Sequence, residues 1–425
     1  MVLPRKIVLL VAAALAAVVS ISACSSSSSS SSSSPAAVSS SASASSAAST
    51  PAATGSATAA AATGTPITIG VLCSCSGPFG STIVDAWSVL QAWEKEVNAS
   101  GGLSGHPVQL IEKDNASVPG TALANAQSVL SDKVDAIIDL DILDALWEKP
   151  ADTAKIPVIG GNFSSPAYYT DADWYPSGQT NDSITYSVAA TAKQAGATSL
   201  ADFYCAESAQ CQESVPLIEA AGKTLGVPVT YSASISATAP NYTAQCVAAQ
   251  QAGVKAVFIG DSISVIARVA ANCSAQGYNP IYVTEGTGFT NQALTAPGLN
   301  GNLWSSYPIL PYFSSETPVT AMNTVLGKYY PGLTTSTLTW SEYAAQAWTA
   351  GLLLEQAVKN SGVAASATVT PADITAGLNK VSGETLGGFS PTLNLTTAKH
   401  TVDCWYVGRV QSGKAVQVGG LTCEK

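Results

Sequence analysis

Nine cysteines carry the most reactive side chains in this sequence, and their spacing separates cross-linking from metal binding and redox chemistry. No pair has the C-x-x-C spacing that is typical of zinc and redox sites. Apart from Cys24 their number is even, which in an exported chain predicts disulfides but leaves the pairing open. Proximity suggests three pairs and leaves a fourth by elimination: Cys205–Cys211, Cys246–Cys273, Cys404–Cys423 and Cys73–Cys75.

Residues suited to catalysis are scarce. His106 and His400 are the only histidines, and the G-x-S-x-G turn of serine hydrolases does not occur. The segment Gly260-Asp261-Ser262 resembles the nucleophile block of GDS-type esterases. That family places the block early and an Asp-x-x-His late, whereas here Thr397 stands three residues before His400. We therefore predict a protein that is not an enzyme and that has no metal and no cofactor.

The composition limits the possible partners. The chain has 425 residues, of which 46% are apolar and 11% charged, and its formal net charge is −10. Because phosphate recognition needs clustered Lys and Arg, which do not occur, we expect no nucleic-acid partner. The first 65 residues do not have a globular composition, and the remainder is long enough for two lobes with separate cores.

The N-terminus predicts export. Arg5 and Lys6 precede residues 7–19, an uncharged apolar run shorter than the roughly 20 residues of a membrane span. The run is followed by Ile21-Ser22-Ala23-Cys24, which resembles the lipobox of bacterial lipoproteins. The resemblance implies a signal peptide over residues 1–23 and acylation of Cys24, which would anchor the protein to the outer side of the cell membrane. The alternative is an ordinary secretory signal with a coincidental cysteine.

Residues 24–65 are rich in Ser, Ala, Thr and Pro and include an unbroken serine run at residues 25–34. Such a segment cannot bury enough apolar surface to offset its conformational entropy. We predict a flexible tether between the membrane anchor and the folded body.

Beyond the tether, strands and helices alternate. Short apolar runs predict strands, and apolar residues at helical spacing predict the helices between them. The predicted strands are at residues 67–72, 108–111, 136–138, 157–159, 200–204, 227–231, 256–259 and 281–283. The predicted helices lie between them, for example after Ser81, at residues 122–130 and at residues 215–225. This alternation indicates an α/β fold of open, mainly parallel sheets with flanking helices, whose ligands lie at the carboxyl ends of the strands.

A series of motifs follows the same order as in one known family. The segment E-V-N-A-S-G-G-L-S-G-H at residues 96–106 is similar to E-x-N-A-x-G-G-I-x-G in that family. The other matching segments are residues 69–71, 76–79, 132–138, 156–159, 252–258, 284–286 and 343–345. Together they resemble the type I periplasmic solute-binding proteins of the branched-chain amino acid class, over roughly residues 66–425.

The resemblance implies a two-lobed clamp, joined by three crossover strands, that closes on a small polar solute and delivers it to an ABC permease. By analogy, lobe 1 comprises residues 66–184 and 312–383, and lobe 2 comprises residues 185–311 and 384–425. We expect a monomer that binds an amino acid or a related amine or amide. A ligand-sensing or adhesion lipoprotein with the same fold is the alternative, because a fold does not determine function.

The same resemblance implies ligand contacts at four positions. Ser164 falls where the family uses a hydroxyl to hold the ligand carboxylate, and Asn162 falls where a backbone group does so. Glu285 falls where a carboxylate meets the α-amino group of the ligand, and Ser76 lies in the first turn motif. The alternative role for these residues is that of caps or turns.

Two segments depart from the family pattern. Adjacent serines usually follow the third strand, whereas Asp139 and Asp141 do so here, and carboxylates would repel an acidic ligand group and favour an amine. Asp141 could instead cap the next helix. The Cys205–Cys211 segment replaces a tyrosine that the family often has after the first strand of lobe 2.

The aromatic residues offer a third interpretation, a platform on which a sugar could stack. Four tryptophans are candidates: Trp87, Trp93, Trp147 and Trp174. The helical spacing of the first two favours packing instead.

Overall fold

The structure is a computed structural model, and it describes residues 61–424. The predicted signal peptide, the lipidated Cys24 and most of the tether lie outside the described residues. None of the helices between residues 61 and 424 is both long and apolar enough to span a membrane.

The first sheet contains five parallel strands among the described residues, in the order β2-β1-β3-β4-β5. These strands are β1 (Ile67–Cys73), β2 (Val108–Asp114), β3 (Ala136–Leu140), β4 (Val158–Gly160) and β5 (Trp174–Tyr175). Between them lie α1 (Gly80–Ile83), α2 (Asp85–Ala99), α3 (Pro119–Ser131), α4 (Glu148–Ala154) and α5 (Ala167–Thr170). Every residue of β3 is buried, as expected of a strand covered on both faces.

The second sheet repeats this order with β7-β6-β8-β9-β10, again all parallel. Its parallel strands are β6 (Leu200–Cys205), β7 (Val229–Ile235), β8 (Ala256–Gly260), β9 (Ile281–Glu285) and β10 (Leu303–Tyr307). The accompanying helices are α6 (Asn181–Gln194), α7 (Ala209–Glu213), α8 (Val215–Leu225), α9 (Thr243–Gln251) and α10 (Ile263–Ala275). The predicted α/β fold and its strands are confirmed.

The C-terminal part adds elements to both sheets. Its helices are α11 (Thr317–Tyr329), α12 (Leu333–Ser336), α13 (Glu342–Ser361) and α14 (Pro371–Leu378). Its strands are β11 (Ser382–Glu384), β12 (Leu393–Asn394), β13 (Cys404–Gln411), β14 (Lys414–Gln417) and β15 (Thr422–Cys423). Strand β13 extends the second sheet by pairing antiparallel with β10, and β11 pairs with β12 in a separate two-stranded sheet. Short 3-10 helices lie at Gly77–Phe79, Asp144–Leu146, Gly286–Gly288, Asn291–Leu294 and Leu386–Gly388.

Helix α13 packs on the first sheet and on α2. At Gly351 the two helices are so close that a Cβ atom would lie 2.7 Å from Cε2 of Trp93. The indole of Trp93 is buried, and its Nε1 donates a hydrogen bond of 2.7 Å to Glu355. Trp147 and Trp174 are also buried and stack on each other with ring centroids 5.1 Å apart. These three tryptophans therefore serve packing and are not available as a sugar platform.

The described chain passes between the two sheets three times, at residues 176–180, 308–316 and 385–403. These three segments are hydrogen-bonded to one another. The backbone N–H of Gln179 donates to the carbonyl of Pro308 (3.0 Å), and that of Thr180 donates to the carbonyl of Val402 (3.2 Å). The chain therefore connects the sheets through three backbone segments that are bonded to one another.

The sulfur atoms of the eight cysteines in the described residues lie at bonding distance in the pairs that sequence proximity suggests. Cys205–Cys211 joins the end of β6 to α7, with Cα atoms 5.5 Å apart. Cys246–Cys273 joins α9 to α10, and Cys404–Cys423 joins β13 to β15. Each pair closes a loop within one sheet and its flanking helices, so none of them restricts movement between the two sheets.

Candidate functional site

Each sheet has a point at which the strand order reverses, and it provides the natural position for a ligand. In the first sheet this point lies between β1 and β3, and in the second sheet between β6 and β8. At such a point the loops that follow the two strands lead to opposite faces of the sheet and leave a crevice between them. The two crevices supply residues to one cavity.

The cavity has a volume of about 820 Å³ including its opening to solvent. From the first sheet and its helices come Phe79, Thr82, Ile83, Ile142, Ser164 and Tyr343. From the second sheet and its helices come Asn181, Ile184, Thr185, Asp202, Tyr204, Cys205, Ser208, Gln210, Cys211, Ser214, Phe258, Gly260, Asp261, Ser262 and Glu285. The lining contains both polar groups and apolar side chains, which suits a ligand with both kinds of surface.

Among the described residues, three hydrogen bonds from side chains that line this cavity cross between its two sides. Gln210 Nε2 donates to Oδ1 of Asp144, and Asn181 Nδ2 donates to the carbonyl of Ser164. The hydroxyl of Ser208 donates to the carbonyl of Ile142 at 3.3 Å. These contacts hold the two sides together and describe a closed arrangement.

Ser164 and Glu285 are the two sequence-predicted ligand residues that line the cavity. Both are partly buried. Glu285 ends β9, and its charge is among those that raise the pKa of Tyr343, after burial and three aspartates. Their roles as ligand contacts stay predictions, but the structure brings them to the same cavity.

Asp139 and Asp141 lie outside the cavity lining, in a buried network. Asp141 Oδ1 accepts hydrogen bonds from the hydroxyl of Ser74 and the backbone N–H of Leu143, both at 2.8 Å, and Oδ2 accepts from the indole of Trp147, also at 2.8 Å. Asp139 accepts from the backbone N–H of Asp141 and from the hydroxyl of Tyr168. These bonds engage both carboxylates with the protein itself, and their role toward a ligand stays a prediction.

Asn162 and Ser76 also lie outside the cavity lining. Asn162 is buried, and its Nδ2 donates to the carbonyl of Asp141 (2.9 Å) and to Oδ2 of Asp144 (3.1 Å). Ser76 is exposed and donates from its hydroxyl to Asp114 Oδ2 at 2.5 Å. Asn162 therefore orients Asp144, the residue to which Gln210 donates across the cavity.

Burial changes the protonation of the acids in this network. It raises the pKa of Asp144 to about 7, with a hydrogen bond from Ser165 opposing the shift. It also raises the pKa of Asp139 well above its usual range, and the charges of Asp144 and Asp141 act in the same direction. Adjacent buried carboxylates cannot all ionise at low cost, so the cluster retains protons near neutral pH.

Two further acids line the cavity that sequence reasoning did not select as ligand residues, Asp202 and Asp261. Burial is the main cause that raises the pKa of each to about 7. Asp202 lies within the otherwise uncharged strand L-A-D-F-Y-C, and Asp261 directly follows β8. An acidic residue inside a buried strand was the sequence signal that could have identified Asp202.

Among the described residues, three carboxylates converge closely enough to hold a metal ion: Glu148, Asp152 and Asp171. They do not line the cavity. Lys149 lies 3.9 Å from both Glu148 and Asp152 and already supplies positive charge there. We therefore interpret this group as a cluster of charged side chains and not as a metal site.

The fold and the cavity together define a two-sheet binding protein. Residues 66–415 match the family of periplasmic binding proteins, so the chain belongs to that family, and the family resemblance of its motifs is confirmed. Its fold is the type I fold of the solute-binding proteins of ABC transporters. A search of curated proteins gives no match.

Solved structures share this fold at low sequence identity. A fatty acid ABC transporter substrate-binding protein from Thermomonospora curvata is 16% identical, with a TM-score of 0.73 over 86% of this chain and 95% of that chain. A solute-binding protein from R. palustris in complex with benzoate is 17% identical, with a TM-score of 0.70 over 85% and 98%. A branched-chain amino acid transporter substrate-binding protein from Streptococcus pneumoniae, in complex with isoleucine, is 16% identical, with a TM-score of 0.66 over 83% and 99%.

Proposed function

We propose that this chain is an extracytoplasmic solute-binding protein that encloses a small organic solute and delivers it to an ABC permease. The observation that carries the proposal is the single cavity lined from the strand-order reversals of both sheets. A site divided between two bodies binds best when they come together, so ligand binding and closure are linked.

The proposed moving parts are lobe 1, expected at residues 66–184 with 312–383, and lobe 2, expected at residues 185–311 with 384–425. Because α6 packs on the second sheet, we propose that the first boundary lies at the crossing at residues 176–180. The three crossing segments are the proposed hinge, because they carry the chain between the sheets and are bonded to one another through backbone groups. On the cavity side, the bond from Gln210 to Asp144 would form on closing and break on opening.

The nature of the solute follows from the cavity and from the neighbours. The neighbours are described with isoleucine, benzoate and fatty acid, which are small organic molecules of different charge and polarity. The lining of this chain combines carboxylates with apolar side chains, which supports an amino acid or a related amine or amide.

We further propose that the protein acts outside the cytoplasm and is anchored through lipid on Cys24, with residues 24–65 as the tether. Disulfides persist in oxidising compartments, and the four sulfur pairs support this location. A tethered binding protein stays close to a permease in the same membrane.

The test is a thermal unfolding screen of the purified full chain, with disulfides intact, against amino acids, amines, amides and sugars. A solute at 100 times its dissociation constant stabilises the protein by about 2.7 kcal/mol, which raises the melting temperature by a few degrees. Small-angle scattering of the same samples reports closure. Ser164→Ala and Glu285→Ala should reduce the shift, whereas Glu213→Ala, an exposed acid on α7, should not. If no solute raises the melting temperature of the wild-type chain, the proposed function is wrong.

A further inference from the structure

The charged side chains that line the cavity, among the described residues, are all acidic. Among the described residues that line it, Asp202, Asp261 and Glu285 are acidic, and none is Lys, Arg or His. A ligand carboxylate would find no cationic partner there and would face three acidic side chains. The acidic lining is therefore electrostatically complementary to a cationic ligand.

Asp202 is the most deeply buried of these acids, with 1% of its surface exposed. Its Oδ1 atom is buried without a hydrogen-bond partner among the described residues. Its neighbour in the register of strand β8 is the aromatic Phe258, and Glu219, another acid, contributes to the charge around it. A buried carboxylate oxygen without a donor is unfavourable, so the position calls for a donor brought by a ligand.

Asp261 provides a second oxygen of the same kind. It is 7% exposed, its Oδ1 accepts from the backbone N–H of Ser262 at 2.6 Å, and its Oδ2 has no partner among the described residues. Because Asp261 follows the register partner of Asp202 by three residues, the two backbones are roughly 10 Å apart along the strand direction. One elongated ligand can approach both.

Two buried hydroxyl groups in the lining also have no hydrogen-bond partner among the described residues. They are Oη of Tyr343 and Oγ1 of Thr82, with 1% and 2% of the residue surface exposed. The apolar lining comes from Phe79, Ile83, Ile142, Ile184 and Phe258. An occupant with a hydrocarbon skeleton and a terminal ammonium would contact both kinds of surface.

We propose that the solute is an organic amine that binds as a cation and carries no carboxylate, with an ammonium group donating to Asp202 or Asp261 and, in a diamine, one ammonium at each. The inference rests on the proposed function and narrows its solute class. An ammonium donates up to three hydrogen bonds, and charge-assisted bonds to carboxylates are stronger than neutral ones. A zwitterionic amino acid would bring a carboxylate into an acidic wall, and an amide would leave the charge of the wall uncompensated.

Four probes with the same five-carbon chain test this inference by isothermal titration of the purified full chain. They are pentylamine, 1,5-diaminopentane, norvaline and pentanoate. Both amines should bind at least about tenfold more tightly than norvaline, and pentanoate should not bind. Equal or tighter binding of norvaline or pentanoate, or failure of both amines to bind, would overturn the inference.

Asp202→Asn and Asp261→Asn keep the side-chain shape and remove the charge. Each should weaken the binding of 1,5-diaminopentane by about 10- to 100-fold. The matched control is Asp132→Asn, since Asp132 is exposed at the end of α3, and its affinity should equal that of the wild type. Circular dichroism and thermal unfolding establish that each variant is folded. Unchanged amine affinity in both folded cavity variants would refute the roles of these carboxylates.

The outcomes also separate this inference from the proposed function. If an amino acid or a sugar from the broader screen binds and closes the protein while the amines do not, the solute-binding function stands and the amine class is wrong. If no compound from either panel binds, both proposals fail.

Discussion

Asp202→Asn should alter the pH dependence of stability in a way that can be worked out from the structure. Burial raises the pKa of Asp202 from 3.8 to about 7 in the folded chain. Well below pH 4 the carboxyl is protonated in both the folded and the unfolded state, so its titration does not change the free energy of unfolding. Between pH 4 and pH 7 it ionises only in the unfolded state, so the free energy of unfolding falls as the pH rises.

The size of this effect follows from the shift of about three pKa units. Each unit corresponds to about 1.4 kcal/mol, so the full penalty above pH 7 is about 4 kcal/mol, of which about 2 to 3 kcal/mol develops between pH 5 and pH 8. Asparagine does not titrate and lacks this penalty. The other acids titrate in the wild type and the variant alike, so they cancel in the comparison.

The measurement is urea unfolding of the ligand-free full chain at pH 5 and pH 8, with disulfides intact. The loss of unfolding free energy from pH 5 to pH 8 should be about 2 to 3 kcal/mol smaller in Asp202→Asn than in the wild type. Asp132→Asn, at an exposed position, should follow the wild type. Parallel losses in the wild type and in Asp202→Asn would refute the reasoning, because they would mean that the buried carboxyl titrates alike in both states.

Two further predictions concern the contacts between helices and between the two sides of the cavity. Gln210→Ala removes the hydrogen bond to Asp144, so ligand affinity should fall about tenfold and small-angle scattering should show a more open protein. Gln212→Ala, on the exposed side of α7, should change neither quantity. Equal affinities of Gln210→Ala and the wild type would contradict a role of this bond in closure. Gly351→Ala places a Cβ 2.7 Å from the Trp93 ring and should lower the free energy of unfolding by about 1 to 3 kcal/mol. Gly327→Ala, which has open space in α11, should leave it unchanged or raise it by up to about 1 kcal/mol, and a loss at 351 no larger than at 327 would contradict the close packing.

The parallel core of the fold could be predicted from sequence because its signals are local. Apolar runs of four to eight residues and helical spacing of apolar positions reflect burial on both faces of a sheet and on one face of a helix. The C-terminal strands were not predicted. Strand β13 lies between β10 and the edge strand β14, and its partner β10 lies about a hundred residues earlier in the chain.

The site was harder to predict because hydrogen-bond partners that are distant in sequence determine which of its polar groups are free to bind a ligand. Asp141 looks available for a ligand until the fold brings Ser74, 67 residues away, within hydrogen-bonding distance. Asp202 looks like an ordinary strand residue until the fold leaves one of its oxygens buried beside a cavity without a donor. Sequence shows which acids follow strands, whereas only the packed chain shows which of them are already paired.

The three passages between the sheets also determine when the molecule can fold. The first sheet takes α13, with α14 packed on that helix, from residues beyond 340, and the second sheet takes β13 from residues beyond 403. A chain that emerges N-terminus first therefore cannot complete either body until nearly all of it has emerged, and such long-range pairing makes folding slow. For a protein exported as we propose, this delay keeps the chain unfolded while it crosses the membrane. The binding cavity then first exists on the side where its solute is found.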